Sequence, residues 1–585
     1  MNLRLHSLPA LFTSRGLTQA IAPIRLAALS FIARPDFGMF AVVFLLSALY
    51  RLLFVVTYPL NDLGYDAPNY LMMILNHKSS LVHAGGYPFF VNLFTFWHSP
   101  SYPPSPVFTY SLQFLQHGFE LLSLAVLYFV MSDVFNKWIA ALGLVFVGMD
   151  IDALTFTNMT YPEWLQADLL VLSLCVAYRG LVAGKDLTKF IYYGLSSVLF
   201  ALCWLTKFNV LVFSLIFVVY YLAEKSSRKL LIALVMLLSA AAVYVLFMVS
   251  YHYPSTRYRG VTADQGWVLM SKIDWSLGKD KLKNIGINTK KLVALNEALP
   301  NDYAKQMSEV YESTDAVPSD IRKEYRDKYL WLLTANETQL DEFLRNHSLP
   351  NNFKFMYSAI PIAYYLGHDE SNTLSIKVYF EMIIRNLNQY GEACFDEVQR
   401  FFVNYPDRSD GIMLPIAGMR LPLLPQGDSR QVLREDHHFG LGFVRYQHSD
   451  PMRQWQYPYA STWPVLWRPG ERWFAFASRF ALPSGILLLV TGLMFIYSYL
   501  VITKETFGIR SVVVLVIAGT IPAFVFFSDF TFYFRNKELR LMWPWIGTAY
   551  AIVAWWLCSL AYDAWRWGLS YAGWGGRSPG SPGKG

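Results

Sequence analysis

The chain has 585 residues, of which 54% are hydrophobic and only 16% are charged, and its mean hydropathy is +0.29. These values exclude an ordinary soluble enzyme and indicate a polytopic membrane protein. The formal net charge of +7 sits largely in the connections between apolar runs, where it sets orientation and does not signal nucleic-acid binding.

A helix that crosses lipid needs roughly 20 mostly apolar residues, because its backbone polar groups must be satisfied within the segment. In chain order, residues 1–37 carry apolar positions broken by Arg15, Arg25 and Arg34 and read as a cytoplasmic amphipathic segment, not a signal peptide. The first span is Gly38 to Tyr58, followed by an outer loop over 59–111. Further spans are expected at Leu112 to Ser132, Trp138 to Phe156, Trp164 to Ala177, Phe190 to Leu205, Asn209 to Leu222 and Leu230 to Tyr251. After a long polar interval come Leu482 to Ile502, Val512 to Phe527 and Leu541 to Tyr562. The expected fold class is therefore an all-α polytopic membrane protein of about ten transmembrane helices. Its parts are 38–250 with helices 1 to 7, a soluble block over 251–473, 474–562 with helices 8 to 10, and a disordered cytoplasmic tail over 563–585.

Lysine and arginine in short connections resist translocation. Lys137, Arg179, Lys185, Lys189, Lys225, Arg228, Lys229, Lys504 and Arg510 all fall on the side of the N-terminal arginines, which places both termini in the cytoplasm. The opposite side holds the exceptions Lys78, Lys207, Arg535, Lys537 and Arg540.

The soluble block, roughly 220 residues, is large enough for a domain with its own core and is expected to be an extracytoplasmic, mixed but mainly α domain inserted between helices 7 and 8. Ser319 to Asn346 and Val378 to Pro406 have helical apolar spacing, whereas Ile412 to Pro469 reads as irregular structure or short strands. FMYSAIPIAYYL, Phe355 to Leu366, is too short to span and reads as an interfacial or groove-lining segment. Of the cysteines, Cys175, Cys203 and Cys558 lie in expected spans and Cys394 stands alone outside them, so no disulfide framework is available. The sequons at Asn158, Asn336 and Asn346 prove no glycosylation, and His437, His438 and His448 have no metal-ligand spacing.

Chemistry is concentrated at the outer ends of the spans. NDLGYDAPNY places Asp62 and Asp66 four residues apart just past the first span, on one face if a helix follows. Helix capping would account for either carboxylate alone. In the same loop GGYPFF makes a tight turn before Tyr87, GMDID places Asp150 and Asp152 near the outer end of the third span, and TYPEW puts Glu163 at the head of the fourth. Lys207 in LTKFN and the group Arg535, Lys537, Arg540 with Glu538 in RNKELRLMWPW sit on the side where cations are disfavoured, so an anion is expected to meet them.

In order and sidedness these motifs resemble those of the integral-membrane GT-C glycosyltransferases, which use polyprenyl-phosphate-linked sugars. The resemblance rests on Asp66 with Tyr70, on Gly86-Tyr87-Pro88, on Pro162-Glu163 and on Lys537-Glu538-x-Arg540 with Pro544. It covers the helical parts only. The acidic pair is split where many members have it in tandem, Asn536 stands where one mannosyltransferase variant has histidine, and no WWD tripeptide occurs.

What the resemblance implies is an inverting transfer from a polyprenyl-phosphate-sugar donor to a glycan, lipid or protein acceptor at the outer face, as part of cell-envelope glycan biosynthesis in a bacterial inner membrane. Asp66, or alternatively Asp62, would be the base; Arg535, Lys537 and Arg540, with Lys207, would hold the departing phosphate; Glu163, Tyr70, Tyr87 and Glu538 would contact substrate or fix those cations. Magnesium or manganese suits carboxylates, but no dedicated ligand cluster demands a metal. A flippase or transporter of polyprenyl-linked saccharides would need similar outer cations, and a glycan ligase or polymerase would share most of the site. Against the transporter, no repeated halves are visible and the charges gather at helix ends, not at mid-membrane.

Overall fold

The computed structural model describes residues 32–57, 67–95, 106–277, 284–346, 353–404, 487–504, 509–531 and 543–571, with short gaps inside these ranges. Among the described residues the regular structure is helical. Six helices are long and apolar enough to cross a membrane. They belong to α1 (Phe37–Thr57), α4 (Pro106–Val134), α6 (Pro162–Val182), α7 (Asp186–Thr206), α9 (Lys229–Phe247) and α19 (Trp543–Tyr571). Between them stand α2 (Ala67–Leu75), α3 (Gly86–Thr95), α5 (Lys137–Gly148) and α8 (Ser214–Ala223), and α17 (Leu487–Lys504) and α18 (Ile509–Thr531) precede α19. Each expected span thus falls on a helix, although α5 and α8 are short, and the fourth and fifth spans extend beyond their expected ends.

Helix α6 is the hub of the bundle: 83% of its most apolar stretch is buried, against 11% for α9, whose leucines face outward. Small residues let α6 and α7 approach. Ser173 Oγ donates to the Ser196 carbonyl at 2.8 Å, Ser196 Oγ returns a bond to the Ser173 carbonyl at 2.7 Å, and Gly180 lies against the Tyr193 ring. The apolar core of the bundle runs from Phe40 to Val553.

The bundle has two chemically distinct ends. At one, Arg34 binds Asp36 at 3.0 Å and Asp133 at 2.7 Å, Arg179 also meets Asp133 at 2.7 Å, Lys189 pairs with Glu224 at 2.5 Å, and Arg228 with Asp186 at 3.2 Å. Since Glu163 and Arg179 lie sixteen residues apart on α6, the other end is about 24 Å away. Of the cations expected on the N-terminal side, Arg34, Arg179, Lys189 and Arg228 share one end.

At the far end α9 passes through a π turn, Met248–His252, into a helical turn, Tyr253–Thr256. The widening falls just before Pro254, whose ring cannot continue the ladder. A second apolar core follows, built by α10 (Gln265–Leu277), α11 (Ile287–Ala298), α12 (Ser319–Tyr329), α13 (Glu337–Arg345), α14 (Phe355–Tyr365), α15 (His368–Arg385) and α16 (Leu387–Asn404). Here the reading of Phe355 to Leu366 is corrected. That segment is a helix at the centre of this core, with Phe355, Ile362 and Leu366 fully buried and α10, α11 and α15 packed around it. Its length matched an interfacial segment because a helix buried on every side is apolar all round whatever surrounds it. Residues 405–473 lie outside the described residues, as do 1–31 and 572–585.

Candidate functional site

The site is assembled at the end of the bundle where α2, α3, α6 and α7 meet. Helix α2 closes on His77, whose positive φ of 51° turns the chain back, with Lys78 N–H donating to the Met73 carbonyl at 3.1 Å. The returning segment is pinned to the π turn: Ser79 Oγ lies 2.7 Å from His252 Nδ1, and Tyr251 Oη donates to the Lys78 carbonyl at 2.8 Å. The double glycine then has a steric reason. A Cβ on Gly85 would meet Ser79 Oγ, and one on Gly86 would enter the backbone of Leu205 and Thr206. Helix α3 therefore starts in direct contact with the end of α7.

Pro162 opens α6 at a position where its missing N–H costs nothing, and Glu163 occupies the first turn, where the helix dipole favours a carboxylate. Gln166 Nε2 donates to the Lys207 carbonyl at 2.7 Å, and Cys203 Sγ to the Gln166 carbonyl at 3.2 Å, fixing α6 against the last turn of α7. Lys207, in extended backbone at the end of α7, then reaches Glu163 Oε1 at 3.1 Å. Glu163 is 2% exposed, and its Oε2 has no hydrogen-bond partner among the described residues.

Aromatic rings lead from α2 to this pair. Tyr70 packs edge-on to Tyr87, with ring centroids 5.7 Å apart, and Tyr87 packs edge-on to Trp164 at 5.9 Å. Tyr87 is fully buried, with its hydroxyl beside the Trp164 indole N–H. Burial pushes the Tyr87 phenol well above its ordinary range, so it is a donor at neutral pH. The Glu163 Oε2 acceptor is thus held without a partner among the described residues in a rigid aromatic setting, an arrangement that costs free energy unless a polar group fills it.

Of the sequence-predicted residues, the structure brings together Tyr70, Tyr87, Glu163 and Lys207. Asp62, Asp66, Arg535, Lys537, Glu538 and Arg540 lie outside the described residues, as does Asp152. Asp150 is buried and accepts from the Ala153 N–H at 3.2 Å, a local cap. Asn158, read as a sequon, is buried and accepts from Gln113 Nε2 at 2.6 Å, which removes it as a surface acceptor. Among the described residues no group of three His, Cys, Asp or Glu could hold a metal ion.

A polar stripe inside the bundle went unread in the sequence. Arg51 of α1 forms a forked pair with Glu120 of α4, both contacts at 2.7 Å, and lies 3.3 Å from His117 Nδ1. Glu120 also accepts from Thr157 Oγ1, Gln116 Nε2 donates to the Thr157 carbonyl at 2.8 Å, and Ser123 Oγ donates to Asp168 at 2.5 Å. Gln113, Gln116, His117, Glu120 and Ser123 follow helical spacing on α4, so one buried face of a lipid-length helix holds the connection that ends at Glu163. The signal was available as Arg51 within the first apolar run and QFLQHGFELLS within the second. It also corrects the statement that charges avoid mid-membrane, since Glu120 is at the middle of α4.

No protein-family model matches the chain, and no curated protein does. Among solved structures the chain is similar to ArnT from Cupriavidus metallidurans in the apo state, at 12% identity and a TM-score of 0.30, over 86% of this chain and 77% of that one. A likeness at this level decides neither fold nor activity.

Proposed function

We propose that the protein is a membrane glycosyltransferase that moves a hexosyl or pentosyl group from a polyprenyl-phosphate-linked donor to a glycan, lipid or protein acceptor. The observation that carries this reading is the buried cluster of Glu163, Tyr87 and Trp164, whose open Glu163 Oε2 and aromatic walls suit a sugar's hydroxyls and C–H faces. The motif order supports it, because Tyr70 and Tyr87 lie within the loop that also carries Asp62 and Asp66.

In the reaction, Asp66, with Asp62 as the alternative, takes the proton from an acceptor hydroxyl. The acceptor oxygen bonds to the anomeric carbon while the bond from that carbon to the phosphate oxygen breaks, and the electron pair leaves with the phosphate. Arg535, Lys537 and Arg540 receive that charge, with Glu538 fixing their positions. Lys207, already paired with Glu163, links the phosphate side to the sugar side. Magnesium or manganese would find its ligands at Asp62 and Asp66 and would offset charge on the phosphate. The setting is a bacterial inner membrane, with the site on the extracytoplasmic face.

Purified protein in liposomes, given a labelled polyprenyl-phosphate sugar and candidate acceptors, tests this. Asp66→Asn should keep donor binding and lose transfer by about 10²- to 10⁴-fold, and Glu163→Gln should raise KM more than it lowers kcat. Transfer at the normal rate by Asp66→Asn would refute the catalytic assignment. The buried charges Arg51, Glu120 and Asp168 favour a second reading, a flippase for polyprenyl-linked saccharides. It predicts movement of the lipid across the bilayer with no new glycosidic bond.

A further inference from the structure

At the end of the bundle opposite Glu163, α1 and α5 diverge and leave an apolar groove of about 590 Å³, walled by Gly38, Val42, Ala141 and Val145, with Trp138 and Lys137 at its mouth. The geometry points to this groove as a site for one anionic phospholipid, its acyl chain between the two helices and its phosphate at Lys137. The inference is independent of the transfer reaction proposed above.

Three observations carry it. Two neighbouring cations are already neutralised, Arg34 by Asp36 and Asp133, and Arg179 by Asp133. Lys137 is exposed, its ammonium stands 5.9 Å from the Trp138 ring centroid, and it meets no carboxylate among the described residues. As the first residue of α5 it also gains nothing from the helix dipole, which favours acids there, so the helix itself does not explain a cation at this position.

The groove matches a lipid in depth. From Lys137 to Val145 is eight residues, a rise of about 12 Å, which is most of one leaflet's hydrocarbon of about 15 Å. Trp138 is half exposed at the mouth and stacks on Trp555 at 6.3 Å, the placement that indoles take at the level of headgroups. An anionic headgroup is favoured over a zwitterionic one because a single uncompensated cation gains most from a phosphate that carries no ammonium of its own.

The test uses the full-length protein in detergent with equal amounts of dioleoylphosphatidylglycerol and dioleoylphosphatidylcholine, read by native mass spectrometry. One phosphatidylglycerol should be retained in preference. Lys137→Gln should cut that retention about fivefold, the worth of one lysine beside an anionic lipid. Gly38→Phe should lower retention of both lipids, because a side chain at Gly38 projects into open space and would fill the groove without a clash. Unchanged melting temperatures would show that both variants fold. Equal retention of the two lipids by the unaltered protein, or no change in either variant, would overturn the proposal.

Discussion

Two glutamates hold distant segments in place, Glu120 buried in the bundle and Glu381 half-buried beside the second core, and they are satisfied by different means. In the bundle, Glu120 is clasped by the Arg51 guanidinium and in turn fixes Thr157 of the connection to α6. In the second core, Glu381 of α15 makes no ion pair among the described residues, although the Arg385 guanidinium stands nearby. It accepts from the backbone N–H groups of Asn288 and Thr289 at 2.9 Å each, and from their side chains at 2.9 and 2.7 Å, at the start of α11. A carboxylate that stays ionised deep among lipid-length helices gains most from a full opposite charge, because little else there can replace water. A carboxylate beside a helix start can use the free N–H groups and the dipole of that helix.

The largest expected effect comes from breaking the first arrangement. Arg51→Leu should strand Glu120 without its cation and lower stability by about 3–5 kcal/mol. The double variant Arg51→Met with Glu120→Met should recover much of that loss, since two apolar side chains of similar volume leave no orphan charge. Thermal unfolding of detergent-purified protein, monitored by size-exclusion chromatography, reads both. If the double variant were as unstable as the single one, the network would be held by something other than the pair.

That contrast bears on what the sequence disclosed. The helices of the bundle were legible because lipid demands long apolar runs, and Glu163, Tyr87, Tyr70 and Lys207 were legible because they stand at the ends of such runs beside turn-forming residues. The stripe from Gln113 to Ser123 was passed over because a few polar residues barely lower the mean of a 29-residue helix, and their partners come from elsewhere, Arg51 from α1 and Thr157 from the connection before α6. In the second core the helical periodicity over Ser319 to Asn346 was readable, and the structure gives α12 and α13 there, with Asn336 capping α13 through a reciprocal bond with Gln339. What periodicity could not give was the burial of α14, since an all-apolar helix looks alike in a lipid interface and in a protein core. Glu381 was equally hidden. Its partners are more than ninety residues earlier, and no spacing rule connects them.

The second arrangement makes stability depend on pH in two separable windows. His368, at the start of α15, is held down to about 4 by burial, helped by the charge of Arg322. The unfolded chain would bind that proton near pH 6.5, so stability falls as pH drops from about 6.5 to 4, by on the order of 3 kcal/mol in total. Glu381 acts lower. Burial alone would raise its carboxyl, but the four bonds from Asn288 and Thr289 hold it below the ordinary range, so its contribution is present above about pH 4.3 and is lost as pH falls further. Hydrogen exchange of peptides from α10 to α16 in the full-length protein, corrected for the intrinsic effect of pH, should show both steps. His368→Phe should flatten the upper window and leave the lower one; loss of both together would mean that the two groups do not act independently.

The smallest effect is expected at the joint between the two regions. Ser79, in the loop that carries Tyr70 and Tyr87, contacts His252 at the π turn from which the chain leaves for the second core. Ser79→Ala should cost about 1 kcal/mol, the worth of one buried hydrogen bond. Its consequence should nevertheless be local to both sides, with faster exchange in α2 and α3 and at the end of α9 and no change in the Arg51 network. Confinement of the change to the loop alone would mean that His252 does not transmit between the regions, and the bundle and the second core would then meet, among the described residues, chiefly through their chain connection and the packing of α16 on α17 and α18.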